Sequence, residues 1–427
     1  MLIAQNSSPF THAGETNAAS FLVSRAVAVK LINEVRRFYF DHNATTPVSQ
    51  SVLEALVAAL LEVPGNASSI HQDGQLAKQR LEAARREVCA LLGCEPKELV
   101  FTSGGTEADN LAILGTVRLG TLQAMAAPFE KHVITTAMEH PAVLNPCREL
   151  ERSGVAVSYV RPSPEGVVDP EEIRRAMRPE TVLVSVMHAN NETGALQPIA
   201  EIADIAHQGG ALVHSDGVQA AGKIPVDVAG LGVDLYSISG HKFYAAKGIG
   251  ALYVKSGTKL RPIQFGGKHE RERRPGTENV PSAVAMGKAA AIARGTLPIE
   301  IPRLSDLRDR LETGILAHVP DTGVNGGDAA RTPNTTNIYF DGLEGEALVI
   351  SLDLKGFAVS SGSACSSGAV EPSHVLLAMG LKPERARASL RFSLGASNNE
   401  EQVDALIEAV AQSAAQLRKL SPTYTSA

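Results

Sequence analysis

The chain carries no surplus of positive charge. Its 40 lysines and arginines are outnumbered by 46 aspartates and glutamates, leaving −6 at neutral pH, so nothing in its electrostatics favours nucleic acid as a partner. Long apolar runs are also missing, none approaching the ~18 residues of a membrane-spanning helix, which sets membrane functions aside. No apolar stretch follows a basic start at the N-terminus, so a secretory signal is not expected. Cysteine is scarce. Cys89, Cys94, Cys147 and Cys365 fit no common disulfide framework, which favours a reducing compartment, the cytoplasm before the mitochondrion. Cys89 and Cys94 read as structural thiols of a helix and its end in preference to half a zinc site.

What is present suits a soluble globular protein. With 427 residues, 44% hydrophobic and 20% charged, there is material for a sizeable core and two domains. Residues 1–37 stand apart: Ser, Thr, Asn and Gly dominate as far as Ser20, and Arg25, Lys30, Arg36 and Arg37 follow. A disordered extension is expected there, with Glu15 and Glu34 counting against an organelle transit peptide. From Phe38 onward, strand-like and helix-like segments alternate at the spacing of an α/β protein with a mainly parallel sheet. Helices are expected over 52–62, 74–92, 107–114 and 280–294, and strands over 99–102, 132–136, 155–160, 182–187 and 211–214. No internal repeat interrupts the pattern.

Two groups at the ends of successive strand-like runs carry the most chemistry. Asp216 lies in His214-Ser215-Asp216-Gly217-Val218-Gln219, and Lys242 closes Ser239-Gly240-His241-Lys242. A lysine amine can hold the aldehyde of pyridoxal 5′-phosphate as a Schiff base while a carboxylate keeps the pyridine nitrogen protonated, so that the ring withdraws electrons. Singly, an Asp after a strand is a turn residue and a Lys before an aromatic is a surface charge. The apolar Val233, Leu235 and Ile238 before Lys242, and the strand-like 248–254 after it, argue for the less ordinary reading.

Other segments have matching positions. Thr102-Ser103-Gly104-Gly105-Thr106-Glu107 places glycines and a hydroxyl between a strand and a helix start, where backbone amides and the helix dipole suit a phosphate dianion. Such turns are common alone, and this one gains weight from Ser239, His241 and Lys242. His140 follows a strand and so belongs at the same carboxyl edge, where an imidazole could cover a ring face and move protons; a surface or capping histidine is the plainer alternative. Asn190 and Asn191 follow the next strand by the same logic, within reach of a ligand's carboxylate or phenolic oxygen. Small residues surround Cys365 in Ser360-Ser361-Gly362-Ser363-Ala364-Cys365-Ser366-Ser367-Gly368. That composition suggests an exposed loop with a candidate nucleophile, against an incidental exposed thiol. Arg391, inside the apolar Ser389-Leu390-Arg391-Phe392-Ser393, needs a partner and could fork a substrate carboxylate.

Together with Tyr39-Phe40-Asp41-His42-Asn43-Ala44-Thr45-Thr46-Pro47, Gly65-Asn66-Ala67-Ser68-Ser69-Ile70-His71, Met187-His188-Ala189-Asn190-Asn191-Glu192-Thr193-Gly194 and Arg274-Pro275-Gly276-Thr277, these motifs resemble the cysteine desulfurases. Those enzymes belong to the class V aminotransferase-like pyridoxal phosphate enzymes. The resemblance spans roughly residues 38–415, and the serine-rich cysteine loop is similar to that of the housekeeping and nitrogen-fixation branch. It implies a fold-type-I α/β homodimer with a large domain, 52–297, holding a mainly parallel seven-stranded sheet. A smaller α+β domain would comprise 38–51 and 298–427. It further implies that L-cysteine is converted to L-alanine with a persulfide left on Cys365. The sulfur would pass to an acceptor protein such as an iron–sulfur scaffold, or to tRNA thiolation.

Residue by residue, the resemblance implies that Lys242 carries the cofactor, Asp216 partners the ring nitrogen, His140 stacks on the ring as acid and base, and Gln219 meets the phenolic oxygen. Gly105, Thr106, Ser239 and His241 would hold the phosphate, joined by Thr277 of the other subunit. Asn191 and Arg391 would bind the substrate carboxylate. No resident metal is implied; Cys365 could at most ligate a cluster iron transiently. Three departures stand out: Ala245-Ala246 where the family has Gly-Pro, Pro275 where it has a smaller residue, and the extension before residue 38 with the short tail after the last helix, which bear on the family's scaffold-docking surface. Selenocysteine lyases share the cofactor logic without strictly requiring the nucleophilic cysteine. A degenerate fold serving only as a partner in a sulfur-transfer complex would be expected to have lost one of Lys242, Asp216, His140 and Cys365.

Overall fold

Four of the seven strands of the main sheet are buried along their whole length, with no face to offer solvent. Leu99–Thr102, His132–Thr136, Leu235–Ser239 and Gly250–Val254 are buried at every position, as strands covered on both faces must be. The computed structural model describes residues 37–120, 131–361 and 371–420; the extension expected over most of 1–37, and Cys365, lie outside the described residues. Seven strands pair in the order Leu99–Thr102, Gly250–Val254, Leu235–Ser239, Leu212–Asp216, Thr181–Ser185, His132–Thr136, Ala156–Val160. Gly250–Val254 runs antiparallel to both its neighbours, and the remaining pairings are parallel. The carboxyl ends of six strands therefore meet along one edge, the place where open α/β sheets bind ligands.

A second, antiparallel sheet orders Ser389–Ser393, Thr335–Phe340 and Thr322–Val324, and Phe38–Tyr39 pairs in parallel with Phe357–Ala358. Phe40, Leu311, Ile315, Ile338, Phe340, Phe392, Leu406 and Val410 are among the residues of a core separate from that of the main sheet. Val375, Leu376 and Met379, late in the chain, pack instead in the main core.

One long helix joins the two cores. The helix expected to end at 294 continues as Val280–His318, across Pro298 and Pro302. Each proline removes a backbone hydrogen bond, but Ala289, Ala293, Leu297, Leu307, Leu311 and Ile315 are buried at helical spacing, with Ile301 and Leu304 packed on the cores between them. That continuous apolar stripe outweighs the two prolines. No helix among the described residues is long and apolar enough to cross a membrane.

A buried ion pair pins the segment that carries Thr277. Glu270, Arg271 and Glu272 have φ of 44°, 58° and 64°, a left-handed turn that L side chains resist. Arg85, from the helix Gln72–Leu92, donates through Nη1 and Nη2 to the Glu270 carboxylate at 2.8 Å each, and the Phe101 N–H donates to it at 3.0 Å. Glu270→Ala removes the counter-charge from a buried guanidinium that Glu82 meets only at Nε. The substitution is expected to cost ~3 kcal/mol of unfolding free energy. Denaturant titration measures it, and a loss below ~1 kcal/mol would show that the pair does not hold the turn.

Candidate active site

Loops leaving the common strand edge converge on a cavity of about 820 Å³. Gly105 and Thr106 follow the first strand, His140 the strand His132–Thr136, Asn191 the strand Thr181–Ser185, Asp216 and Gln219 sit at the end of Leu212–Asp216, and Ser239, His241 and Lys242 at the end of Leu235–Ser239. Arg391 comes from the second sheet. All of them line the cavity. Thr277 does not; it is exposed. Cys365 lies outside the described residues, but Ser360 on one side of 362–370 and Glu371, Pro372, Ser373 and His374 on the other all line the cavity. Ser360 exchanges backbone hydrogen bonds with Arg391, and beyond the segment Ser373 Oγ donates to Glu192 while His374 Nε2 meets the Glu139 carbonyl at 2.8 Å.

The phosphate turn depends on close backbone approach. A Cβ on Gly105 would lie 2.7 Å from Val218 Cγ2, and one on Gly250 would lie 2.6 Å from the Gly104 Cα, so neither position admits a side chain. The helix Gly105–Val117 therefore starts at the cavity, with first-turn amides that have no acceptor within the helix. Glu107 would oppose an anion there, but its oxygens accept from Arg274 Nε at 2.9 Å and from the Ser103 N–H at 2.7 Å. The same Arg274 leads to Thr277.

Charge states follow from burial. Asp216 Oδ1 accepts from the Val218 N–H at 2.9 Å, yet burial and the neighbouring Asp109 push its pKa up to about 7. A cationic ring nitrogen beside it would restore the carboxylate. His140 caps the helix Pro141–Arg152, its Nδ1 accepting from the Ala142 N–H at 3.1 Å. A backbone N–H can only donate, so the neutral ring carries its proton on Nε2; partial desolvation inside the cavity lowers its pKa and favours that neutral form, although part of the residue remains open to solvent.

Lys242 Nζ donates to the carbonyls of Asn43 at 2.6 Å and Ala44 at 2.9 Å. Burial first, and Arg391 second, lower its pKa to about 8. Behind it the Ala245 N–H closes on the Gly240 carbonyl at 3.1 Å, and Tyr244, at φ 70°, is held by its N–H on Thr46 Oγ1 at 2.7 Å. The Ala245 departure thus leaves a closed turn. Arg391 is paired through Nη2 with Asp41 at 2.7 Å and through Nη1 with the Asn191 carbonyl at 3.0 Å.

Three residues of this network carried no assigned role in the sequence. Asp41 and Asn43 stood inside a recognised motif, whereas nothing marked Lys223, which is half-buried and reaches both Asn43 and Gln219.

The class-V aminotransferase family model matches residues 38–406. The chain belongs to the class-V aminotransferase family. It is 47% identical to a cysteine desulfurase of Nostoc sp. over 384 residues, 90% of this chain and 94% of that one. It is 44% identical to the cysteine desulfurase IscS of Methanosarcina thermophila over 389 residues, 91% and 95% of the two chains. A NifS-like protein of known structure superposes with a TM-score of 0.83 at 35% identity, covering 89% of this chain and 100% of that one. The seven-stranded, mainly parallel sheet is accordingly that of a fold-type-I pyridoxal phosphate enzyme. Class-V aminotransferase enzymes generally depend on pyridoxal phosphate, and the cavity suits it: a reactive amine for the aldehyde, a buried carboxyl without a cation for the ring nitrogen, and a helix start for the phosphate.

The lowered pKa has a direct consequence for this family member. Half of the Lys242 amine is neutral near pH 8, where an ordinary lysine is well under ~1% neutral. Labelling of the cofactor-free protein with an amine reagent, followed by peptide mapping, should modify Lys242 half-maximally near pH 8, while surface lysines lag by roughly two pH units. A Lys242 midpoint near that of the surface lysines would contradict the burial argument.

Proposed function

We propose that the protein is a pyridoxal phosphate-dependent cysteine desulfurase that converts L-cysteine to L-alanine and leaves the sulfur as a persulfide on Cys365. The single observation that carries this reading is the meeting of Lys242, Asp216, His140 and Arg391 around one cavity, with both flanks of the Cys365 segment at its rim. The relatives, cysteine desulfurases by name over nine-tenths of the chain, support it. Pyridoxal phosphate, when bound, supplies an electron-withdrawing ring that weakens bonds at the substrate's α carbon.

The chain's own groups do the rest. Lys242, whose amine is half neutral near pH 8, holds the aldehyde, and Asp216 keeps the ring nitrogen charged. Gly105, Thr106, Ser239 and His241 hold the phosphate, and Gln219 donates toward the phenolic oxygen. Arg391 and Asn191 take the substrate carboxylate, Asp41 orienting the guanidinium. His140, with its proton on Nε2, covers the ring face and moves protons to and from the substrate. Cys365, as the thiolate, forms an S–S bond to the substrate sulfur while the Cβ–S bond breaks. The electron pair stays with carbon, which takes up a proton to become the alanine methyl group. Sulfur is thereby oxidised and carbon reduced, and no further reductant is needed. The persulfide then passes to a sulfur-acceptor protein, an iron–sulfur scaffold or a tRNA thiolation enzyme. Free thiols at Cys89, Cys94 and Cys147 support a reducing, cytoplasmic setting. The 52–297 unit serves as cofactor domain and 38–51 with 298–427 as the smaller one.

The active form is a homodimer. Thr277 is exposed and outside its own cavity, and Phe265 beside its segment is 79% exposed, as suits a turn that completes a neighbour's phosphate site. Two experiments test these assignments. Cys365→Ala should keep the cofactor's yellow colour and bind cysteine, yet form alanine at least ~100-fold more slowly; near-normal alanine formation would overturn the persulfide route. For the dimer, a Thr277→Ala subunit paired with a Lys242→Ala subunit should retain about half of wild-type activity, because both defects fall in one composite site. The lost hydroxyl–phosphate bond is worth about 1.5–3 kcal/mol, so if Thr277 instead served its own subunit, both sites would be impaired and activity would drop well below half.

A further inference from the structure

Lys223 is a half-buried lysine one short turn after Gln219, and its amine is engaged by two side-chain amides. Nζ donates to Asn43 Oδ1 at 2.7 Å and to Gln219 Oε1. A lysine ammonium has donors only, so each amide must turn its oxygen toward Lys223 and its NH2 group away. The consequences are visible on the far sides. Gln219 Nε2 points to the Asn43 carbonyl at 3.0 Å, and Asn43 Nδ2 donates to the Asn191 carbonyl at 3.1 Å and to Thr335 Oγ1 at 2.9 Å. The same Asn43 carbonyl accepts from Lys242 Nζ. A lone amide can rotate by half a turn at little cost in shape, exchanging donor for acceptor; two amides sharing one ammonium cannot.

We propose that Lys223 is a positioning residue that locks the amide of Gln219 with one N–H on the Asn43 carbonyl and the other left for the cofactor's phenolic oxygen and, through Asn43, fixes Asn191 and Lys242. The proposal rests on the desulfurase reading, because Gln219 acts on a bound cofactor. Burial first, then Lys242 and Arg391, drive the Lys223 pKa well below the ordinary lysine value, and His42 and His241 also face it, so its charged form is costly. The two amide oxygens are the acceptors that offset that cost and favour the ammonium. A group retained against that cost has work that an apolar side chain of the same length would not do. Methionine at 223 would fill the same space and leave both amide oxygens without a donor.

The test uses protein loaded with pyridoxal phosphate and reads the near-visible absorption band of the bound cofactor against pH. Lys223→Met should shift the midpoint of that titration upward by ~1 unit, since both a positive neighbour and an oriented donor are lost. Lys223→Arg, which keeps the charge and the donors, should restore most of the shift. Gln219→Glu keeps a partner for Lys223 but has no N–H to offer, and should move the midpoint in the same direction even if the methionine variant does not fold. In a Gln219→Leu background the Lys223→Met shift should shrink to a fraction of its size, because the two act as a unit. Unchanged midpoints in Lys223→Met or Gln219→Glu, or fully additive shifts in the double variant, would overturn the role of Lys223. Absence of a near-visible band in the wild-type protein would instead overturn the cofactor reading beneath it.

Discussion

The site depends on Asn43, a residue near the start of the described chain that ties both cores to one point. Its carbonyl accepts from Lys242 and Gln219, its side-chain oxygen from Lys223 and Asn334, and its amide donates to Asn191 and Thr335. Lys242, Gln219 and Asn191 belong to loops of the main sheet, whereas Asn334 and Thr335 lead the second. A buried amide whose every donor and acceptor is engaged rigidifies what surrounds it, since rotating it would strand several partners at once. The geometry of the cavity is therefore set by a junction and not by either sheet alone.

Around that junction the low dielectric works on acids and bases in opposite senses. Burial pushes Asp109 and Asp216 up to about 7 and Glu139 up to about 8, and it brings Lys242 down to about 8. Carboxyls and amine are drawn together toward neutrality. A ligand carrying a ring cation and a phosphate dianion replaces the missing counter-charges and repays the desolvation that folding imposed. The chain without a ligand thus stores an electrostatic preference for one.

Much of the frame was legible beforehand for a simple reason. Strands 99–102 and 132–136 were read with the boundaries they have, because continuous apolar or hydroxylated runs bounded by turn residues leave little alternative. Lys242, Asp216, His140 and the glycine turn were legible because each follows such a strand, so their shared edge could be inferred from alternation alone. The long helix was expected only as far as 294, and the packing of Leu297, Leu307 and Leu311 against two cores shows why it carries on across Pro298.

By itself, then, the sequence determined the raw material of the strands and the edge along which the candidate groups gather. Tertiary structure decided the pairings between residues far apart in the chain: Arg391 with Asp41 across 350 positions, Lys223 with Asn43 across 180, Glu270 with Arg85 across 185. Local periodicity holds no information about such partners. Each is selected only when burial makes an unpaired charge or amide too costly and leaves a single group within reach.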